Sequence, residues 1–464
     1  MKKFFYLLTI IILLQFFPKL LIAQDQVQQS REFVKAALKL YQEKNYPAYL
    51  ENMEKANKLR PNHPELTYNY AGALALTGKK ELALKELNKF ADFGVIANPL
   101  ADEDFSSIKD SKEFQEIIKK IEKNSLPIGE VETIASLPEK DLITEGLAYD
   151  SQEEKFYAGS IRKRKIITID KNGKVSDFTS SQQDGLWGVF GMQIDPKRRV
   201  LWVATSSLPE IADFRKEEDS QAAIFQYDLK TKKLLKKFSL SDNKKHIFGD
   251  LTLNSKGDVF ITDSISPNIY YISATGHIIE TLANGPFVSL QGISLSEDGN
   301  HLFVSDYSQG IFEVDLKNKN KITKLESPAN ATLLGIDGIY FYQNSLIAVQ
   351  NGINPRRVIK LSLSNNFDKI ENFTTLAANK NLMPDPTLAT IINNNFYFFA
   401  NAQWNNFDRS GNILPLEKFV EPTLVKIKLG NTTNKNSTTK ASFKVVREKL
   451  KPLPPPMIML NMAF

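Results

Sequence analysis

Between Thr144 and Leu429 the chain repeats one short pattern six times. The copies open on Glu145-Gly-Leu-Ala-Tyr-Asp, Gly191-Met-Gln-Ile-Asp-Pro, Gly249-Asp-Leu-Thr-Leu, Leu290-Gln-Gly-Ile-Ser-Leu, Ile336-Asp-Gly-Ile-Tyr-Phe and the looser Pro386-Thr-Leu-Ala-Thr. A second apolar run follows each opening, as in Leu201-Trp-Val-Ala-Thr-Ser and His301-Leu-Phe-Val-Ser-Asp, and a third appears in Ala223-Ile-Phe-Gln-Tyr-Asp and Gly310-Ile-Phe-Glu-Val-Asp. A unit recurring every roughly 40–50 residues cannot bury its own apolar face, so its copies must pack on one another as a solenoid or a propeller. The runs are short, alternating and rich in Ile, Val, Phe and Tyr. Turns such as Lys171-Asn-Gly and Glu297-Asp-Gly-Asn separate them, so they read as strands. Three to four antiparallel strands per copy predict a mainly β fold, a six-bladed β-propeller over residues 130–430. The Gly-His…Trp-Asp signature of WD40 blades does not occur.

The rest of the chain is organised differently. Lys2 and Lys3 precede an apolar run from Phe4 to Phe17, and a small residue, Ala23, follows. This is the order of a secretory signal, expected to occupy residues 1–23 and to be removed, which leaves no membrane span. The expected location is then periplasmic or secreted. With no Cys among 464 residues, disulfides cannot stabilise an exported chain, so a packed core must. Residues 25–125 read as helices: Phe33, Ala36, Ala37, Leu40 and Tyr41 recur at helical spacing, as do Leu50, Met53, Ala56 and Leu59. Paired helices with Ala71, Gly72, Ala75, Gly78 and Ala83 at their crossings, and Pro61 between units, resemble tetratricopeptide repeats. That resemblance implies a groove for a protein or peptide partner. A helical cap packed on the next domain fits the same residues. His63, between Asn62 and Pro64, reads as a turn residue. The tail at 431–464 is basic and Pro-rich and is expected to be poorly ordered.

Charge excludes one class of partner. Without Lys2, Lys3 and Lys19 the formal +6 falls to +3. The tail after Gly430 sets six basic residues against Glu448. The body between them is therefore slightly acidic, with no basic stripe for a nucleic acid backbone.

In a propeller the innermost strands line a central channel, and residues heading them converge from distant parts of the sequence. The heads read here are Glu145, Gln193, Asp250, Gln291 and Asp337. They carry oxygen donors only, the preference of a hard cation such as Ca²⁺, and no His or Cys of a zinc site. Carboxylates gathered without a cation would repel one another. Residues ending the second strand of each copy should form an outer ring at the same mouth: Asp263, Asp306, Asn351 and Asn401, with Trp404 nearby. Turn capping is the preferred reading for Asp263 and Asp306. Asn351, Asn401, Trp404 and Gln193 are candidate substrate contacts.

These motifs, in this order and spacing, resemble the senescence marker protein/gluconolactonase family, the regucalcin-like six-bladed propellers. The resemblance implies one divalent cation, Ca²⁺ first, held by Glu145, Asp250, Gln291 and Asp337. Asp250 and Gln291 stand where the family has Asn. It also implies hydrolysis of a small lactone or ester, with the cation polarising the carbonyl and Asp337 assisting attack by water. A His dyad is not expected, since His246 alone lies near the ring and reads as a loop residue. A non-catalytic scaffold that binds a ligand or protein is the rival reading, because propellers host many functions.

Overall fold

The computed structural model describes residues 26–430. The expected signal at 1–23 and the tail at 431–464 lie outside them. The protein is mainly β, a six-bladed propeller preceded by a helical module, as the repeats predict.

Six four-stranded antiparallel sheets form the blades. Their innermost strands are Thr144–Asp150, Gly188–Asp195, Phe248–Leu253, Leu290–Leu295, Ile336–Phe341 and Ala389–Ile392, for blades 1 to 6 in order. Each is followed outward by the strands read from the repeats, so Lys165–Ile169, Ala222–Asp228 and Gly310–Asp315 are the third strands of blades 1, 2 and 4. Blade 6 is closed differently. Its outer strand, Glu132–Ser136, comes from before blade 1 and pairs antiparallel with Thr423–Lys428 near the end of the described chain. That seam leaves no open sheet edge between the first and last blades.

The blades pack face to face through apolar layers. Trp202, Ile224, Phe248 and Ile261 join blades 2 and 3, and Phe303, Ile336, Ile339 and Leu346 join blades 4 and 5. Glycines set how close the innermost strands come. A side chain at Gly146 would collide with the carbonyl oxygen of Phe190, and one at Gly292 with that of Asp337. The motif Gly of blades 1, 2 and 4 therefore lets the backbone of the neighbouring blade approach closely.

The helical module comprises a helix at 26–42 (α1), then Tyr46–Leu59 (α2), Pro64–Leu76 (α3), Lys80–Asp92 (α4) and Lys112–Asn124 (α5). Pro64 starts α3 at a position where its missing N–H costs nothing, and His63 caps it by accepting from the Leu66 amide. Ala71, Ala75, Ala83 and Leu87 are buried in one core with Phe90, Phe105 and Phe114. The module rests on the propeller over blades 4 and 5, on the side where the channel carries its acidic residues: Ile353, from a blade 5 loop, packs into the helical core. Among the described residues no helix is long and apolar enough to cross a membrane.

Candidate functional site at the channel mouth

The opening motif explains how the site is built. In blades 1, 4 and 5 the strand pairing slips by one residue where the motif begins, between Thr144 and Leu147, Leu290 and Ile293, and Ile336 and Ile339. Such a bulge turns the residue before the Gly toward the channel. It places Glu145, Gln291 and Asp337 in one pocket with Asp385, Arg356, Asn351, Tyr307 and Trp404. Hydroxyls of the preceding blade fix the ring: Thr262 Oγ1 donates to the Gln291 carbonyl, and Ser305 Oγ donates to the Asp337 carbonyl at 3.1 Å.

Glu145 and Asp337 form the acidic centre. They are only 6 % and 7 % exposed. Burial pushes the Glu145 carboxyl well up, and repulsion from Asp337 adds to it. Burial also raises Asp337, opposed by the hydrogen bond from Asn351 and reinforced by the charge on Asp385. The contacts they receive are neutral. Trp404 Nε1 donates to Glu145 Oε2 at 3.0 Å, and Asn351 Nδ2 donates to Asp337 Oδ2 at 2.8 Å. Tyr307 Oη donates in turn to Asn351 Oδ1 at 3.3 Å. The one basic side chain lining the pocket, Arg356, pairs with Asp385 at 2.9 Å, and Asp385 also accepts from the Trp404 amide at 3.0 Å.

Several expectations need correction. Gln193 is not a ring residue. The bulge of blade 2 lies between Val189 and Met192, so Phe190 takes the mouth position. Gln193 sits three residues deeper, accepts from the Leu253 amide at 3.1 Å, and lines a second chamber further along the channel, which contacts no part of Glu145 or Asp337. Asp250 is displaced by one residue. The slip in blade 3 falls between Phe248 and Asp250, so Gly249 holds the mouth position and Asp250 the place of the usual Gly. Its carboxylate accepts from the Leu251 and Ile293 amides at 2.8 and 3.3 Å, in space left by Gly191. Burial pushes it up to about 8. Asp250 lines both chambers and so marks the boundary between them. Asn401 does not line the pocket: it accepts from the Thr423 amide at 2.7 Å and donates to the Glu421 carbonyl, which holds a loop of blade 6.

Asp263 accepts from the Ile247, Ile265 and Ser266 amides, and Asp306 from those of Val288, Ser289 and Ser308. Both are turn caps. His246 is buried in a pair with Asp263 (2.5 Å) and Asp242 (2.9 Å), away from the pocket lining. Tyr307, Arg356 and Asp385 were not anticipated. Their one sequence signal is position: Tyr307 directly follows the end of a second strand, Arg356 shares a loop with Asn351, and Asp385 lies between Pro384 and Pro386 just before the sixth copy.

Among the described residues no three His, Cys, Asp or Glu side chains are arranged to hold a metal by themselves. The reason is visible in Asp250, turned to backbone amides, and in Asp385, paired with Arg356. What remains is Glu145, Asp337 and the amide oxygen of Gln291, whose Nε2 is held by Ser289 Oγ at 3.2 Å. Two mutually repelling buried carboxylates and one amide fit a hard cation whose shell is completed by water, since Ca²⁺ accepts carboxylate, amide and water oxygens alike. Thr387 Oγ1 lies beside Glu145, buried and without a formed hydrogen bond, as a further polar atom facing this centre.

No protein-family profile and no curated protein sequence matches the chain. Solved structures do. A gluconolactonase from Xanthomonas campestris aligns over 66 % of this chain and 91 % of its own at 13 % identity and a TM-score of 0.44. A streptogramin B lyase aligns over 65 % and 98 % at 14 % identity and 0.44. A PQQ-bound aldose sugar dehydrogenase from Streptomyces coelicolor aligns over 65 % and 99 % at 11 % identity and 0.43. The likeness concerns the propeller fold alone, and the three proteins differ in activity by name.

Proposed function

We propose that the protein is an exported hydrolase of a small lactone or ester that works with one divalent cation, Ca²⁺ first, at the channel mouth. The observation that carries this reading is the pair Glu145 and Asp337, two buried carboxylates drawn from blades 1 and 5 and met by neutral donors only. Glu145, Asp337 and Gln291 would hold the cation, with Asp250 turned aside. When bound, the cation supplies a Lewis acid for the substrate carbonyl and relieves the repulsion between the two carboxylates.

The protein's own groups do the rest. Asp337 is the base. Its carboxylate lines the pocket where it can take a proton from water attacking the carbonyl carbon, and Asn351, donating to Oδ2, leaves Oδ1 free to do so. The attack breaks the acyl C–O bond of the lactone or ester, and the proton held on Asp337 Oδ1 can return to the leaving alkoxide. Trp404 holds Glu145 by its indole N–H and offers an apolar wall with Phe190 and Leu388, which keeps bulk water from the reacting carbon. Tyr307 positions Asn351. In the helical module we read tetratricopeptide-like pairs, with a protein or peptide partner as the matching role.

A panel of lactones and esters, assayed with and without chelator, tests the proposal. The expected result is hydrolysis of at least one member that chelator abolishes and Ca²⁺ restores, and that Asp337→Ala lacks while remaining folded. Hydrolysis equal in the variant would remove Asp337 from the mechanism. Ca²⁺ binding with no hydrolysis of any member would favour the ligand-binding scaffold.

A further inference from the structure

Among the described residues, hydrogen bonds tie the helical module and the segment after it to the propeller in regions that each adjoin a loop supplying the pocket. Arg60 of α2's C-terminal end donates to the Ser308 carbonyl at 3.3 Å, next to Tyr307. The Ile96 amide donates to the Asn354 carbonyl at 2.9 Å, in the loop that runs from Asn351 to Arg356. Asn379 donates to the carbonyls of Asn124 and Leu126 at 2.7 and 3.1 Å, at the start of the segment that leads to Asp385. None of these helical residues lines the pocket.

The middle contact is the most constrained. Arg357 is 1 % exposed and lies where the two domains meet. Its Nη1 donates to the Phe93 carbonyl at 2.9 Å and to that of Gly94 at 3.3 Å, while its Nε donates to Gln350 Oε1 at 2.7 Å. Gly94 is in a left-handed conformation, and a side chain there would collide with the guanidinium, so the close approach requires glycine. Gln350 is itself tied to the Thr332 and Leu334 carbonyls. Among the described residues Arg357 meets no carboxylate and Nη2 has no hydrogen-bond partner; the guanidinium lies 5.4 Å from the centre of the Phe373 ring, and burial lowers its proton affinity to about 9. A buried cation without a counter-charge is poor mortar for joining two domains, since an apolar residue of that size would serve better. What the guanidinium does that an apolar group cannot is fix direction. It bonds the helical module and residue 350 at once, and residues 350 and 357 are the two ends of the loop whose Asn351 meets Asp337 and whose Arg356 meets Asp385.

We propose that Arg357 is a positioning residue that registers the 351–356 loop against the helical module, so that the module forms part of the catalytic architecture by holding Asn351 and Arg356 in place. The link runs from Phe93 and Gly94 through Arg357 to Asn351 and Asp337. Any displacement of the segment after α4 is transmitted to the acidic centre along this path.

The test uses the full chain carrying Arg357→Met, with Arg357→Lys as the conservative comparison, in two measurements: amide hydrogen exchange by peptide mass spectrometry, and calorimetry with Ca²⁺. Arg357→Met is expected to speed exchange about tenfold in peptides covering 336–341 and 384–389, which touch neither Arg357 nor the module, while peptides of blades 1 to 3 exchange as in the wild type. Ca²⁺ affinity is expected to fall about tenfold, with Arg357→Lys in between. If faster exchange is confined to 93–97 and 357–363, and Ca²⁺ affinity is unchanged, Arg357 merely joins the domains and the proposal is wrong. Should Arg357→Met fail to fold, Ile353→Ala loosens the same loop from the helical core and is read in the same way. The calorimetric measurement rests on the cation reading above. If the wild-type protein binds no Ca²⁺, that reading fails alone, and the exchange pattern still decides the role of Arg357.

Discussion

On the side of blades 5, 6 and 1, the channel mouth presents Asp337, Asp385, Trp404 and Glu145; on the side of blades 2 and 3 it presents Phe190, Ile247, Gly249 and Ser264, with the Asp250 carboxylate turned to backbone amides. The innermost strands of blades 1 to 5 each slip by one residue at their start, which sets one residue toward the axis, whereas that of blade 6 pairs without a slip. A propeller therefore offers equivalent positions around a ring, and chemistry depends on which of them carry donors. Here the donors are concentrated on one half, which leaves the other to shape and exclude water. One residue beyond the second strands, blade 5 turns Asn351 inward to Asp337 and blades 3 and 4 bring Ser264 and Tyr307 to the same pocket, while the last strand residues Asp263 and Asp306 cap turns.

The largest effect that would break this comparison is on the donor half. Asp337→Asn keeps the shape and the Asn351 contact but removes the charge and the base. Hydrolysis should fall by about 10²–10⁴-fold, measured as kcat/KM on the best substrate of the panel. Loss of less than tenfold would mean that the two halves are more alike than their residues suggest. Trp404→Phe keeps an apolar wall and deletes only the indole donor to Glu145. It should weaken Ca²⁺ binding about tenfold by calorimetry, the usual scale for losing a partner that orients a ligand.

Blade 3 can be given a donor at its mouth position. A Cβ built on Gly249 meets Ser264 Oγ at 3.4 Å and Gln291 Oε1 at 3.8 Å, ordinary contacts, so Gly249→Asn should fit and point an amide at the pocket. We expect Ca²⁺ affinity to rise several-fold, about 1 kcal/mol, with little change in melting temperature. Unchanged affinity would show that the acidic centre lies out of reach of blade 3.

The smallest expected effect separates structural charge pairs from those of the pocket. Burial disfavours charge on His246, but the hydrogen bonds its ring donates to Asp263 and Asp242, with the charge of those carboxylates, more than offset it, so its folded-state proton affinity is raised above the ordinary 6.5. The stabilisation it gives is complete below pH 6.5 and is lost as pH rises through the higher folded-state value. His246→Gln should flatten that part of the stability profile, by about 1 kcal/mol in chemical denaturation, and leave Ca²⁺ affinity as it was. A shift in Ca²⁺ affinity would draw His246 into the site.

The six blades were legible because the repeat carries its period and its strand alternation in the residues themselves. Glu145, Gln291 and Asp337 were legible for a related reason: each directly precedes the Gly of its motif. Gln193 and Asp250 were misplaced by that rule's exceptions. In blade 2 the residue before the Gly is Phe190, and in blade 3 the order is inverted to Gly249-Asp250, so a polar residue near the motif was read as its head. Asn401 has the composition of a site residue but turns to Thr423 and Glu421. Tyr307, Arg356 and Asp385 lie in connections that do not repeat, where no periodicity fixes direction. The docking of the module through Arg357 depends on residues about 260 positions apart, Phe93 and Arg357, whose meeting no local pattern announces.

The central claim is that Glu145 and Asp337 make a cation site at the mouth of the channel. Calorimetric titration of chelator-treated, full-length protein with Ca²⁺ tests it most directly, with Asp337→Asn alongside. The account predicts one site per chain in the wild type and binding weakened by about 100-fold or more in the variant. No heat of binding in a folded wild type, or equal affinity in the variant, would contradict it.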